Sequence, residues 1–142
     1  MRKSDFEREK KYVYELIGYN GRVPLYILTK DSCSEIARLL GSWIKQGFPR
    51  TKIYIYKGKV KGQLHDLLLV EENRVYVIDP TIWQFLKNKK SILVATANSI
   101  VGAIAEVRGY YGGKWKLSEY IHGYSAAEIK KLKKVLRKNL GH

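Results

Sequence analysis

Cys33, His65 and Asp79 have the residue types and the order that thiol chemistry needs: a nucleophile, a base and a carboxylate to orient the base. Cys33 is the one cysteine among 142 residues, so it is a core filler, a reactive thiol or an intermolecular link, and cannot form an internal disulfide. It stands within Ser32-x-x-Glu35, the pattern in which a Ser oxygen and a Glu carboxylate cap the first turn of a helix. Cys33 is then the first helical residue, where unpaired N–H groups and the positive end of the helix dipole favour the thiolate. Ile36 and Leu40 share its side of the helix, which aims the thiol at the sheet beneath.

His65 and Asp79 fall in two apolar runs, 64–70 and 75–79, separated by Glu71-Glu72-Asn73-Arg74 and read as a hairpin. A three-residue loop of Glu71, Glu72 and Asn73, with Asn in the left-handed position, pairs Val70 with Arg74. His65 then lies directly across from Asp79 on one face, suited to a carboxylate that holds one imidazole nitrogen. A two-residue loop would set Asp66 opposite Asp79 instead. Asp66, next to His65, is the rival carboxylate, and strand alternation sends it to the other face.

These residues need elements to hold them. Ser4-x-x-Glu7 and Ser125-x-x-Glu128 repeat the helix-start signal. Apolar stripes follow at Ile36, Leu39, Leu40, Trp43 and Ile44, and at Ile129, Leu132, Leu136 and Leu140, with Gly47 and Gly141 as stops. Residues 52–57 alternate as a strand that ends at Gly58, and 92–95 form a further strand. Residues 99–108 fit helix or strand, and Gly109-Tyr110-Tyr111-Gly112-Gly113 is read as a turn or loop. The whole chain, 1–142, is expected to be a single α+β domain. Its mostly antiparallel sheet would pack against the nucleophile-bearing helix, with further helices at both ends.

A Cys at a helix start, a strand His, and an Asp opening Asp79-Pro80-Thr81 at the end of the next strand form a pattern that resembles the papain-like fold. The likeness is to its transglutaminase-like and arylamine acetyltransferase-like branches, and covers roughly Ser32 to Phe85. The resemblance implies Cys33 as nucleophile, His65 as the base that later protonates the leaving group, and Asp79 as orienter. The implied function is a cysteine-dependent hydrolase or acyl transferase, acting through an acyl-enzyme on an amide or thioester carbonyl of a peptide or protein. Residues 27–32 carry no Gln to serve as oxyanion donor, as papain-type enzymes do, and Ser34 stands where transglutaminase-like members have an aromatic residue. The Cys33 N–H, with Gln63 or Gln84, is the candidate oxyanion hole. For so short a chain the substrate groove is expected to be shallow or completed by a partner.

The 27 Lys and Arg against 13 Asp and Glu give a net charge of +14, which favours phosphate backbones, acidic proteins or anionic surfaces. The alternative function is therefore an inactive, basic protein that binds nucleic acid or an acidic partner. Lys130, Lys134 and Arg137 on the last helix, and Lys52, Tyr54 and Tyr56 on the first strand, would form that surface. One Cys and three His argue against a structural zinc site, and neither a metal nor a cofactor is expected. With no stretch near the roughly 18 apolar residues of a membrane span and a charged opening segment, the chain is expected in the cytoplasm.

Overall fold

The computed structural model describes residues 6–141. Its centre is a long hairpin of β1 (Lys52–Val60) and β2 (Gln63–Glu71). Lys61 and Gly62 join the strands with φ of 50° and 79°, the paired positive angles of a tight two-residue turn. β1 therefore runs through Gly58 instead of stopping there. Gly58 is in the strand because it must lack a side chain: a Cβ would lie 2.6 Å from Cδ2 of Trp115.

β3 (Val75–Ile78) pairs with β2, but in a different register from the one expected. The loop keeps three residues yet consists of Glu72, Asn73 and Arg74, so Glu71 faces Val75 and Val70 faces Tyr76. The shift leaves the charge of Arg74 in solvent and begins β3 on the buried Val75, whereas Asn73 takes no left-handed angle. β4 (Leu93–Ala97) and the unanticipated β5 (Lys116–Ile121) complete an antiparallel sheet in the order β4-β3-β2-β1-β5.

Helices cover both faces of the sheet. α1 (Phe6–Ile17), α3 (Cys33–Gly47) and α5 (Ala126–Asn139) pack together on one side, marked by the Arg38–Asp66 ion pair between α3 and β2. α4 (Ile100–Tyr111) packs over β3 and β4 on the other, and α2 (Leu25–Leu28) is a single turn leading into α3. The ambiguous segment is thus helix: Ser99 caps it through the Gly102 N–H at 3.0 Å, and it continues through Gly109 and Tyr110 to Tyr111, where a loop was expected. Buried Ala103 and Val107 anchor this helix, and its packing outweighs the helix-breaking tendency of Gly109.

The capping box at Ser125 forms in both directions, Glu128 N–H to Ser125 Oγ at 3.2 Å and Ser125 N–H to Glu128 Oε1 at 3.0 Å. The one at Ser32 does not form. Glu35 instead accepts from Asn139 Nδ2 of α5 at 2.9 Å, and Ser32 Oγ turns back to the Lys30 carbonyl. The cap expected at Ser4 lies outside the described residues. Among the described residues no helix is long and apolar enough to cross a membrane.

Candidate active site

Cys33 is the first residue of α3 and is partly exposed; its thiol lies 3.9 Å from the carbonyl oxygen of Leu64 on β2. That approach is open because β3 leaves β2 after the Leu68–Ile78 pair while β1 continues to Gln63. The N-terminus of α3 thus reaches the end of β2, next to His65. The Ser32 side chain leaves the first-turn N–H groups of α3 uncapped, so the backbone N–H of Cys33 remains a donor at the positive end of a four-turn helix.

His65 and Asp79 are both wholly buried, and His65 Nε2 meets Asp79 Oδ2 at 2.8 Å. In the observed register Asp79 is not opposite His65 but diagonal to it, beyond the last β2–β3 pair. A displacement of two residues keeps both side chains on one face, and an imidazole spans the diagonal. Asp79 is held on every side. Its Oδ1 accepts the Thr81 N–H at 3.1 Å, and its Oδ2 also accepts the Tyr111 hydroxyl at 2.6 Å. Burial first, and the neighbouring Asp79 charge second, push the Tyr111 pKa far up, so the phenol remains a donor.

The second ring nitrogen, His65 Nδ1, is buried with no hydrogen-bond partner, and the Cys33 thiol is near enough to the ring to act on its charge. Burial works against the charged ring, but the charge and hydrogen bond of Asp79, supplemented by Cys33, outweigh it and push the His65 pKa up to about 10. Three aromatic rings wall the imidazole: Phe85 edge-on at 4.9 Å, Tyr111 at 6.0 Å and Trp115 at 6.4 Å. Trp115 is itself fixed by donating to the Gly112 carbonyl at 2.8 Å and by lying over Gly58, the cross-strand partner of His65.

Gln63 and Gln84 line one cleft of about 420 Å3 together with Tyr26, Ile27, Lys30 and Asp31. Cys33 does not line this cleft, but two residues that do are its near neighbours: Asp31 precedes it by two residues, and Gln63 adjoins Leu64, whose carbonyl lies by the thiol. Gln84 donates its amide to the Thr29 carbonyl, which commits one of its N–H groups. Asp31 takes a left-handed φ of 61°, a conformation rare outside glycine that turns the chain into the Cys33 helix. Asp66 faces away from His65, pairing with Arg38 at 3.0 Å and Lys57 at 3.1 Å.

The residues of the expected basic surface are not brought together. Lys130, Lys134 and Arg137 are exposed on α5, on the α3 side of the sheet. Lys52, Tyr54 and Tyr56 alternate with the buried Ile53 and Ile55 and so project from the opposite face. There Tyr54 donates to Glu71 at 3.2 Å and packs against Tyr120.

Tyr111, Trp115, Phe85 and Thr81 were not identified from the sequence as parts of the site. Thr81 had a signal, the third position of Asp79-Pro80-Thr81, whereas Tyr111 and Trp115 flank a Gly-Gly pair whose local reading is a turn. Among the described residues no three His, Cys, Asp or Glu side chains gather where they could hold a metal ion. Comparison of the chain with protein-family models, curated proteins and solved structures gave no match.

Proposed function

We propose that the protein is a cysteine-dependent hydrolase or acyl transferase that forms an acyl-enzyme on Cys33. The observation that carries the reading is a buried His65 gripped at Nε2 by Asp79, with the partly exposed Cys33 thiol near enough to act on the ring's charge. A buried imidazole with one nitrogen fixed by a carboxylate has its tautomer and plane set, which is what a base acting on a thiol requires. The raised pKa of His65 favours an imidazolium in the neighbourhood of the thiol at neutral pH.

In the proposed reaction the Cys33 thiolate attacks an amide or thioester carbonyl. The carbonyl π electrons move to oxygen, where the Cys33 backbone N–H stabilises them, with Gln63 or Gln84 as a second donor. Collapse breaks the bond to the leaving amine or thiolate, which takes the His65 proton, and leaves a thioester on Cys33. His65 then accepts a proton from water or an acceptor amine as it attacks, and the product acid or amide departs with the thiolate restored. The cleft near Cys33, lined by Tyr26 and Ile27 together with Lys30, Asp31, Gln63 and Gln84, suits a peptide or protein segment whose apolar side chain meets the first two and whose backbone meets the polar groups. The reading also requires a reducing compartment such as the cytoplasm, where a lone thiol stays free.

The test is acylation followed by intact mass. A panel of thioester and activated-ester acyl donors, each with an apolar acyl group, is incubated with the wild type, Cys33→Ala and His65→Ala. The expected result is one acyl group per chain on Cys33, formed and discharged at least about a hundredfold faster in the wild type than in His65→Ala. Equal rates in the two proteins, or no acylation of the wild type, would overturn the proposal.

A further inference from the structure

We infer that Arg38 is a positioning residue that sets the approach of Cys33 to His65, an inference that rests on the reading of those residues as nucleophile and base. Its guanidinium spans the gap between the two elements that carry them. One nitrogen, Nη1, donates to the Ser34 carbonyl at 3.1 Å and to Ser34 Oγ at 2.7 Å, and also meets Asp66 Oδ2 at 3.0 Å. Ser34 is the residue after the nucleophile, and Asp66 is the residue after the base. Nε pairs with Glu119 on β5 at 3.1 Å, an arm separate from those to Ser34 and Asp66.

The arrangement answers a geometric need. α3 and β2 are separated in the chain by β1, and the N-terminal turn of α3 lacks the side-chain cap that would stiffen it. His65 points to the α4 face of β2 and Asp66 to the α3 face, so a contact to Asp66 from the α3 side holds the backbone that carries His65 without entering the site. Arg38 is largely shielded, with 17% of its side chain exposed, and Asp66 is buried, with 1% exposed. An ion pair in that setting is stiffer than one on the surface. The charged and titratable groups around it are Asp66 and Lys57 from the strands, Glu119 from β5, Glu35 on its own helix and Tyr124 beyond β5. The buried Asp66 thus has two cations, and losing one arm leaves the charge compensated while releasing the geometry.

The experiment is the pH profile of iodoacetamide alkylation in the full chain, where the lone cysteine makes the label unambiguous. Arg38→Lys keeps the charge but loses the fork, Asp66→Asn weakens the strand end, and Ser34→Ala removes only the hydroxyl contact. Arg38→Lys and Asp66→Asn are expected to alkylate about tenfold more slowly than wild type at pH 7 and to approach it at pH 10, where even a free thiol is ionised. Glu119→Gln, which breaks the outer arm, is expected to lower the unfolding midpoint and leave the profile unmoved, as a purely structural role would. Should Arg38→Lys fail to fold, Ser34→Ala and Asp66→Asn decide the matter with the same readout. Unchanged profiles in all the folded variants, alongside a slowed His65→Ala, overturn the brace and leave the nucleophile–base pair standing. A His65→Ala profile identical to wild type overturns both.

Discussion

Tyr111 donates its hydroxyl to the same Asp79 oxygen that holds His65, at 2.6 Å against 2.8 Å. One carboxylate oxygen therefore joins the end of α4 to the end of β2. A hydrogen bond to a charged, buried acceptor contributes about 1.5–3 kcal/mol. Tyr111→Phe keeps the ring against His65 and Phe85 and removes only the donor, so it is expected to destabilise the chain by about that amount. Urea unfolding of the two proteins measures it, and a loss under about 0.5 kcal/mol would show that the contact contributes nothing net.

Stability should also depend on pH through His65. Its pKa is raised by folding from an ordinary value near 6.5 to about 10, chiefly because Asp79 outweighs burial. Between those limits the folded chain holds a proton that the unfolded chain has lost. The His65 contribution is thus complete below about pH 6.5 and declines as pH rises toward 10, with a slope near 1.4 kcal/mol per unit for one proton. Unfolding midpoints at pH 6.5, 8 and 9.5, taken in a Cys33→Ser background to remove the thiol's own titration, should fall more steeply with His65 than with His65→Gln. Parallel slopes would mean that the ring is neutral in the fold.

How much of this was legible in the sequence follows from how local each cause is. His65 and Asp79 share a face in any register that keeps their separation even, so their pairing could be read from alternation although the register itself was wrong. The register turned on whether Arg74 would rather be solvated in the loop than paired with Val70, a comparison that needs the finished core. Ser32-x-x-Glu35 satisfies the local rule for a cap, but Asn139, over a hundred residues away, takes the Glu35 carboxylate. Gly58 looks like a strand end, and the reason it is glycine, the Trp115 ring, arrives from the loop just before β5, far from it in sequence. Tyr111 was hidden by the glycines around it, since only the packing of Ala103 and Val107 carries the helix far enough to deliver its hydroxyl.

The Gly58–Trp115 contact makes a sharp packing test. A methyl group at Gly58 would lie 2.6, 2.7 and 2.8 Å from three ring atoms of Trp115, and these are the rigid centre of the indole, not a movable tip. Gly58→Ala is expected to cost about 1–3 kcal/mol by overpacking. It should also slow acylation of Cys33, because Trp115 forms one wall around His65. Combining it with Trp115→Leu should cost less than the sum of the single changes. A double-mutant cycle by urea unfolding reads the coupling, and strict additivity would mean that the ring moves aside without cost.

Ile27 and Leu64 allow substrate contact to be separated from folding. They are 51% and 60% exposed; Ile27 lines the cleft, and Leu64 follows the cleft residue Gln63 and has its carbonyl 3.9 Å from the thiol. Apolar side chains left this open add little to the core, so Ile27→Ser and Leu64→Ser should change stability by no more than about 0.5 kcal/mol. If the cleft holds the acyl side of an apolar substrate, each truncation removes contact area from the complex alone. The expected result is a loss of about tenfold in kcat/KM toward donors with a large apolar acyl group and little change toward an acetyl donor. The two donors must diverge for the cleft to be the binding site: an equal loss on both would place the effect in the chemistry at Cys33, and no loss on either would place the substrate elsewhere.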